Sequence, residues 1–286
     1  MATPAEARAE LCRLRREIAR IEGRPAEDDR MAVDGDTPGG GIARLAFGIP
    51  PLDAALGGGL ACAALHEIRT AETREGAAGA GFAAACLIRL TAQAGRRPIL
   101  WIGTEESCRE AGRLHAPGLL ALGLDPALIV SVVTERPADA LWAFEAGLAC
   151  RGLAAAVCEL RRGADIDLTE TRRCALRAHE AGVTGFLLRF GAAPEPTAAE
   201  TRWRLGFAPA GPVGLYAAGV GRPAWRVEIE KNRAGRTGAH ILEWNAHERR
   251  FETPAGHAAD AHPVALAAPP FDRSDRPAGE GFRRAS

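Results

Sequence analysis

Short apolar runs alternate with longer stretches of helical periodicity from residue 42 to about residue 253. The runs predict strands over 64–68, 98–103, 128–133, 154–160, 184–190, 224–232 and 240–245. Apolar residues at helical spacing predict helices between several of them, over 80–94, 105–122, 137–151 and 167–182. This alternation predicts a parallel, doubly wound α/β sheet. The last two runs have no helix between them, so they predict a C-terminal antiparallel hairpin.

Three segments lie outside this predicted core of residues 42–253. Residues 1–22 predict an N-terminal arm, helical over 4–22, whose apolar residues form one narrow stripe: Leu11, Leu14, Ile18 and Ile21. Residues 23–41 are rich in Gly, Pro and Asp and predict a flexible linker. Residues 254–286 contain few large apolar side chains and predict a disordered tail. Two interpretations of the arm stay open, a partner-binding helix, which we favour, and a frayed extension.

Composition and charge argue against only a few classes of protein. The chain of 286 residues has 36 basic and 36 acidic residues, so its net charge argues against coating nucleic acid but leaves a local basic patch open. No apolar run approaches the ~18 residues of a membrane span, and the N-terminus lacks the apolar stretch of a secretory signal. The seven cysteines and the isolated histidines show no zinc spacing, so we predict a cytoplasmic protein with reduced thiols and no metal site.

The segment FGIPPLDAALGGGLACAALHEI (47–68) resembles the start of RecA-type ATPase cores. There the first core strand is followed by the phosphate loop G-x-x-x-x-G-K-[ST], whose N–H groups and Lys hold phosphates and whose hydroxyl holds Mg²⁺. Here the residues after Ile68 include Gly76, Gly79 and Gly81, but no Lys and no hydroxyl at the helix start. We therefore predict a degenerate loop, with these glycines in the turn before the helix and no ATP or Mg²⁺ cofactor. Weak anion binding by bare N–H groups is the alternative.

Three acidic residues occupy positions where the resemblance places catalytic carboxylates. Glu105 or Glu106 follows the second core strand, where RecA-type enzymes carry an activating Glu, and Glu159 matches the carboxylate that supports Mg²⁺. Carboxylates alone do not position a phosphoryl group, because catalysis in this class is mostly positioning by cations and backbone. We predict no catalytic residue and interpret the three acids as vestigial, bonded to neighbouring loops.

The only lysine among the 36 basic residues is Lys231. It lies in EKNRAGRTG (230–238), which resembles the K-N-R-x-G-x-T-G hairpin of RecA-superfamily helicases and recombination ATPases. The resemblance implies cations that point at a neighbouring subunit's nucleotide. Three interpretations of Lys231, Arg233 and Arg236 stay open: reaching across an interface, contacting DNA phosphates, or solvated positions in a tight turn.

Two further pairs of residues have a structural and a functional interpretation. Arg172 and Arg173 begin a predicted helix and face solvent, which we favour, or DNA or a partner. Trp203 and Trp225 lie in apolar strand segments. Their surroundings favour core positions over stacking on single-stranded bases, which would need exposed rings.

Longer segments carry a more specific resemblance. They include HAPGLLALGLDPALIVSVV (115–133), DLTETRRCALRAHEAGVTGFLLR (167–189) and WRVEIEKNRAGRTGAHILEWN (225–245). Over about residues 42–250 the chain resembles the ImuA family, RecA-like proteins of bacterial DNA-damage cassettes. The resemblance implies a RecA-like core and an SOS-response role in mutagenic translesion synthesis. Its implied partners are ImuB, an inactive Y-family polymerase relative, and an error-prone DnaE-type polymerase, with localisation at the nucleoid when acting.

The sequence therefore predicts a non-catalytic RecA-like adaptor. The alternative is a DNA-binding RecA-like protein, with weak ATPase activity, that modulates recombination filaments. RecA itself, weakly bound DNA and a second copy of this chain are further candidate partners.

Overall fold

The structure is a computed structural model that describes residues 43–93, 95–161, 163–164, 166–210 and 221–254. The predictions for the arm at 1–22, the linker at 23–41 and the tail after residue 254 lie outside the described residues. The predicted domain boundaries therefore stay predictions.

The strands form a small antiparallel pair and one large mixed sheet. In chain order they are β1 (Arg44–Leu45), β2 (Leu60–Ala61), β3 (Leu65–Thr70), β4 (Ile99–Thr104), β5 (Ile129–Thr134), β6 (Ala155–Arg161), β7 (Thr184–Phe190), β8 (Thr201–Phe207), β9 (Ala224–Asn232), β10 (Gly238–Asn245) and β11 (Arg250–Glu252). Strands β1 and β2 pair with each other, and the large sheet has the order β11-β10-β9-β8-β3-β7-β6-β4-β5. Its strands from β8 to β5 are parallel, and β9 to β11 are antiparallel. The predicted RecA-like α/β sheet with a C-terminal antiparallel hairpin is confirmed.

The helices cover both faces of the parallel strands. They are α1 (Pro50–Ala55), α2 (Gly76–Gln93), α3 (Glu105–Ala111), α4 (Ala116–Leu122), α5 (Pro137–Leu148) and α6 (Leu168–Ala181). Helix α2 packs on one side of the sheet, which we name the first face. Helices α5 and α6 pack side by side on the opposite side, the second face. The helix predicted over 105–122 is two helices, because Gly112 ends α3 with a φ of 84° and Pro117 lies in the first turn of α4, where a helix tolerates proline. Across the described ranges, no helix is both long and apolar enough to span a membrane.

Strand β8 was not among the predicted strands. Its sequence TRWRLGF places Arg202 and Arg204 on one face and Trp203 and Leu205 on the other. The apolar side chains are buried, and Arg204 is exposed. This alternation is typical of a strand with one apolar face, which is a weaker signal than a continuous apolar run. In the structure Arg202, on the other face, is buried as well.

Aromatic rings dominate the core on the first face. Phe82 of α2 lies at the centre, with ring centroids 5.7 Å from Trp203, 5.8 Å from Trp225 and 5.7 Å from Phe251. Trp203 is 1% and Trp225 3% exposed. Both tryptophans are therefore core residues, and that prediction is confirmed.

Because Phe82 touches three strands at once, we expect its truncation to leave a cavity that those strands cannot close. Phe82→Ala should lower the free energy of unfolding by about 3–5 kcal/mol, measured by urea denaturation. Leu120→Ala, at an α4 position that is 61% exposed, is the control and should change it by no more than about 0.5 kcal/mol. Equal effects of the two substitutions would contradict the central position of Phe82.

Candidate functional site

The predicted phosphate-loop position is a short turn between β3 and α2. One 3-10 turn, Thr73–Glu75, joins the strand to a helix that begins at Gly76. Gly76, Gly79 and Gly81 are therefore helical residues. The prediction that they form the turn before the helix is wrong.

Close packing of α2 on the sheet explains these glycines. A Cβ on Gly76 or Gly79 would lie 3.1 or 3.0 Å from the Phe190 ring at the end of β7. A Cβ on Gly81 would lie 3.5 Å from the Trp225 ring. Gly76 and Gly79 let the helix approach Phe190 closely, whereas a Cβ at Gly81 would make an ordinary van der Waals contact with Trp225.

Carboxylates of the chain itself cap the 3-10 turn that leads into α2. The backbone N–H groups of Ala71 and Glu72 donate to Glu75 Oε2 at 3.1 and 3.2 Å. The Glu72 side chain in turn accepts from the backbone of Glu75, which completes a capping box. Arg74, the one cation in this turn, contacts Glu72 at 3.2 Å. The N–H groups before the helix therefore already have anionic acceptors.

A third carboxylate lies at the same edge of the sheet. Glu110 of α3 accepts a 3.3 Å hydrogen bond from the Thr73 hydroxyl and forms an ion pair with Arg161 at the end of β6. Arg161 is buried. Phosphates placed at the start of α2 would meet Glu72, Glu75 and Glu110, with no lysine and with the Thr73 hydroxyl already bonded. The residues at this position do not fit a nucleotide with Mg²⁺.

The hairpin that joins β9 to β10 lies at the opposite edge of the sheet. Asn232 at the end of β9 pairs with Thr201, the first residue of β8, so the turn is at the amino ends of the parallel strands. The Asn232 amide and the Arg236 backbone N–H donate to the carbonyl of Ala55 at 2.8 and 2.9 Å. A Cβ on Gly235 would lie 2.0 Å from that carbonyl oxygen, so this close contact requires glycine.

The predicted cations of the hairpin have different environments. Arg236 is exposed, whereas Lys231 and Arg233 are half-buried. The Lys231 ammonium donates to the backbone carbonyl of Thr197 in its own chain. The three interpretations of the hairpin stay open for Arg236, but the lysine already has an acceptor in its own chain.

Thr197 belongs to a connection between β7 and β8, residues 191–200, which we name the strap. Three cations donate to its carbonyls: Arg69 to Ala192 at 3.4 Å, Arg202 to Glu195, and Lys231 to Thr197. Arg189 donates to the Glu195 carboxylate at 2.7 Å. Cations from β3, β7, β8 and β9 thus hold the strap on the second face of the sheet.

Acidic side chains beneath the strap pair with two of these cations. Arg69 forms a bidentate ion pair with Glu230. Arg202 Nε lies 3.2 Å from a carboxylate oxygen of Glu67, a residue that is 1% exposed. Burial, with the nearby charges of Arg233 and Arg202, lowers the pKa of Lys231 to about 8. Sequence reasoning missed this cluster. The available signal was charge at alternate positions of the buried strand LHEIRT.

Two curated relatives, each named Protein ImuA and from two strains of Caulobacter vibrioides, are 36% identical to this chain over 253 residues. The chain belongs to the ImuA family. The match covers 84% of this chain and 95% of each relative, and no family model matches. The family assignment made from the sequence segments is confirmed.

In this ImuA-family chain the three predicted vestigial acids have different environments. Glu105 and Glu106 are exposed in the first turn of α3, and Glu105 lies 3.6 Å from Arg109 of the same helix. Glu159 on β6 is half-buried and accepts a 2.8 Å hydrogen bond from the indole of Trp101 on β4. Burial raises the pKa of Glu159 to about 7. The partners are a helix residue and a strand residue, so the prediction of bonds to neighbouring loops is wrong for Glu105 and Glu159.

The remaining predicted site residues lie on α6. Arg172 and Arg173 are both exposed, and Arg173 Nε pairs with Glu145 of α5 at 3.2 Å. In the part of the chain that the structure describes, no group of three His, Cys, Asp or Glu side chains is placed to hold a metal ion. The cysteines within the same residues are unpaired.

The raised pKa of Glu159 predicts a pH-dependent stability. The carboxyl group has a pKa of about 7 in the folded chain and an ordinary value of 4.5, so the folded state holds the proton more tightly. The wild type should therefore lose stability as the pH rises from about 4.5 through about 7. Glu159→Gln keeps an oxygen acceptor for Trp101 and does not titrate. Urea denaturation at about pH 5 and pH 8 should show that the free energy of unfolding of the variant increases relative to that of the wild type at the higher pH. A difference that stays constant between the two pH values would contradict the burial of a titrating Glu159.

Lys231 predicts a pH dependence in a higher range. Its pKa is about 8 in the folded chain against an ordinary 10.5, so the unfolded state binds more protons between these values. The free energy of unfolding of the wild type should rise with pH over this window, relative to Lys231→Met. Denaturation at about pH 7.5 and pH 10 measures this difference, with Arg236→Met as the exposed control. A fall over the window would contradict a desolvated lysine.

Proposed function

We propose that this ImuA-family chain is a non-catalytic adaptor in SOS-induced mutagenic translesion synthesis. Its partners would be an ImuB-type inactive Y-family polymerase relative and an error-prone DnaE-type polymerase. The observation that carries the proposal is the capped 3-10 turn that leads into α2, where Glu72 and Glu75 accept backbone N–H groups at the phosphate-loop position.

Electrostatics at this position supports an absence of catalysis. Phosphoryl transfer depends on cations and backbone donors that hold the phosphates and neutralise charge as it develops. The turn contributes two carboxylates, and Glu110 adds a third. The two nearby cations are already paired, Arg74 with Glu72 and Arg161 with Glu110, so neither is free for a phosphate. A nucleotide here would have to displace an internal cap and overcome like-charge repulsion.

The position of the single lysine supports the same proposal. Lys231 bonds to the strap, and its hairpin is at the edge of the sheet opposite the start of α2. The lysine of this chain therefore cannot serve the start of its own α2. A fold that keeps its shape while its catalytic positions are filled by internal contacts is suited to presenting surfaces to partners.

Two assays on the purified full-length chain test the proposal. In size-exclusion chromatography the chain should co-elute with the ImuB-type protein, the DnaE-type polymerase or both. With ATP and single-stranded DNA it should show no turnover above that of Glu159→Gln. Failure to bind either partner would refute the adaptor function, and turnover that Glu159→Gln abolishes would support a DNA-dependent ATPase instead.

Salt dependence separates the adaptor from the DNA-binding alternative. A protein that binds single-stranded DNA through several arginine contacts loses affinity steeply between about 50 and 200 mM salt. We expect no such binding at the higher concentration and no change in filament assembly by RecA. Tight, salt-sensitive binding together with altered RecA filaments would favour a modulator of recombination filaments.

A further inference from the structure

Helix α5 is apolar on its solvent side as well as on its core side. Its buried residues are Ala140, Leu141, Phe144, Gly147 and Leu148. The opposite side exposes Ala138, Trp142 and Ala146, which are spaced by four residues and form one row. The outer side of a helix in a soluble protein normally carries polar residues, and a helix that is apolar all round is normally covered.

The acidic residues of α5 do not make this row polar. Asp139 is bound by Arg136 at 2.8 Å, and Glu145 pairs with Arg173 of α6 at 3.2 Å. Both carboxylates are thus neutralised by cations beside the row. The exposed row itself contains no charged side chain.

Trp142 differs from the other four tryptophans of the chain. It is 72% exposed, whereas the others are at most 3% exposed: Trp101, Trp203, Trp225 and Trp244. A large exposed aromatic side chain between two alanines lets the backbone of another molecule approach the ring closely. Aromatic anchors of this kind dominate the binding energy of many protein interfaces.

Helix α6 borders the row with apolar and basic residues. Arg173 joins the two helices through Glu145, which lies one turn after Trp142, and Leu176 lies one turn after Arg173. Leu176 is 51% exposed. Arg172, one turn before Leu176, is exposed and makes no ion pair within the described ranges. Helix α6 therefore carries an exposed apolar side chain and an unpaired cation one turn apart, and the Arg173–Glu145 pair ties this helix to the row on α5.

We infer that this α5–α6 face, formed by Ala138, Trp142, Ala146, Arg172 and Leu176, is the docking surface for an amphipathic acidic helix of another protein. From Ala138 to Ala146 the row covers eight residue steps, or about 12 Å, which suits the apolar ridge of a helix. The occupant supplies large apolar side chains around Trp142 and an Asp or Glu for Arg172. This inference rests on the proposed adaptor function for its biological role.

Charge favours a different protein over a second copy of this chain. A symmetric pair would bring two copies of the same face together. The carboxylates beside the row are already paired or used in capping: Asp139, Glu145, Glu170 and Glu180. A second copy would bring Glu135, in the turn before α5 and beside Arg136, but no carboxylate on α5 or α6 that is not already paired or used in capping, so a partner that brings its own carboxylates suits Arg172 better.

Substitutions on this face test the inference through the affinity of the complexes in the adaptor proposal. Trp142→Arg should weaken binding of the ImuB-type protein or the DnaE-type polymerase at least about 30-fold, the effect of losing an interface anchor. Arg172→Glu should weaken binding about tenfold. Leu120→Arg, at another exposed apolar position, is the matched control and should leave affinity unchanged. All three variants should keep the wild-type melting temperature, because the side chains are exposed.

Iodide quenching of fluorescence gives an independent measurement, because iodide reaches Trp142 and not the four buried tryptophans. In the isolated full-length chain iodide should quench the fluorescence of Trp142 at every protein concentration. In the complex the same fluorescence should be protected from iodide. A synthetic Leu/Glu amphipathic helix should protect it, and a matched Leu/Lys helix should not.

Each contrary result has a separate meaning. A complex that forms with Trp142 still quenched, or equally well with Trp142→Arg, overturns the docking surface and leaves the adaptor function intact. If neither polymerase-type protein binds, the adaptor function fails. The docking surface is then tested by the synthetic peptide: protection of Trp142 by the Leu/Glu helix supports it, and no protection overturns it. Protection of Trp142 in the isolated chain overturns the inference as well. If dilution removes that protection the occupant is a second copy, and if it persists the occupant is the chain's own segment 4–22.

Discussion

Charge neutralisation beneath the strap is the constraint on which the centre of the sheet depends. Four cations from four strands are largely removed from water there: Arg69, Arg189, Arg202 and Lys231. An unpaired buried charge costs several kcal/mol, so these groups require acceptors. The carboxylates of Glu67, Glu195 and Glu230 and three strap carbonyls supply them. The strap thereby fixes the connection from β7 to β8, and β8 carries the antiparallel strands.

The same principle operates at the start of α2, with the signs reversed. The N–H groups before the helix attract anions, and the chain provides Glu72 and Glu75 in place of a bound phosphate. The first turn then needs no outside ligand, and its glycines are free to serve packing against Phe190 and Trp225. A motif that looks like an eroded binding loop in sequence is, in the structure, a well-capped helix.

How much the sequence predicts depends on the range of the interaction. The continuous apolar runs predicted most of the parallel strands, because a strand buried on both faces has a local signature. Strand β8 was missed because only one of its faces is apolar, and the break at Gly112 was missed inside a periodic stretch. The strap was not predicted, since Arg69 and Glu230 are 161 residues apart. Family resemblance supplied the RecA-like core, but it could not show that Lys231 bonds to Thr197.

The internal cap of α2 has a consequence for how the amount of folded protein is controlled in the cell. A protein that binds a ligand only when folded gains stability with ligand concentration, about 2.7 kcal/mol at a hundredfold excess over Kd. In the proposed adaptor, a turn capped by its own carboxylates would receive no such gain from the nucleotide pool. The stability of such a chain would then not depend on the nucleotide concentration.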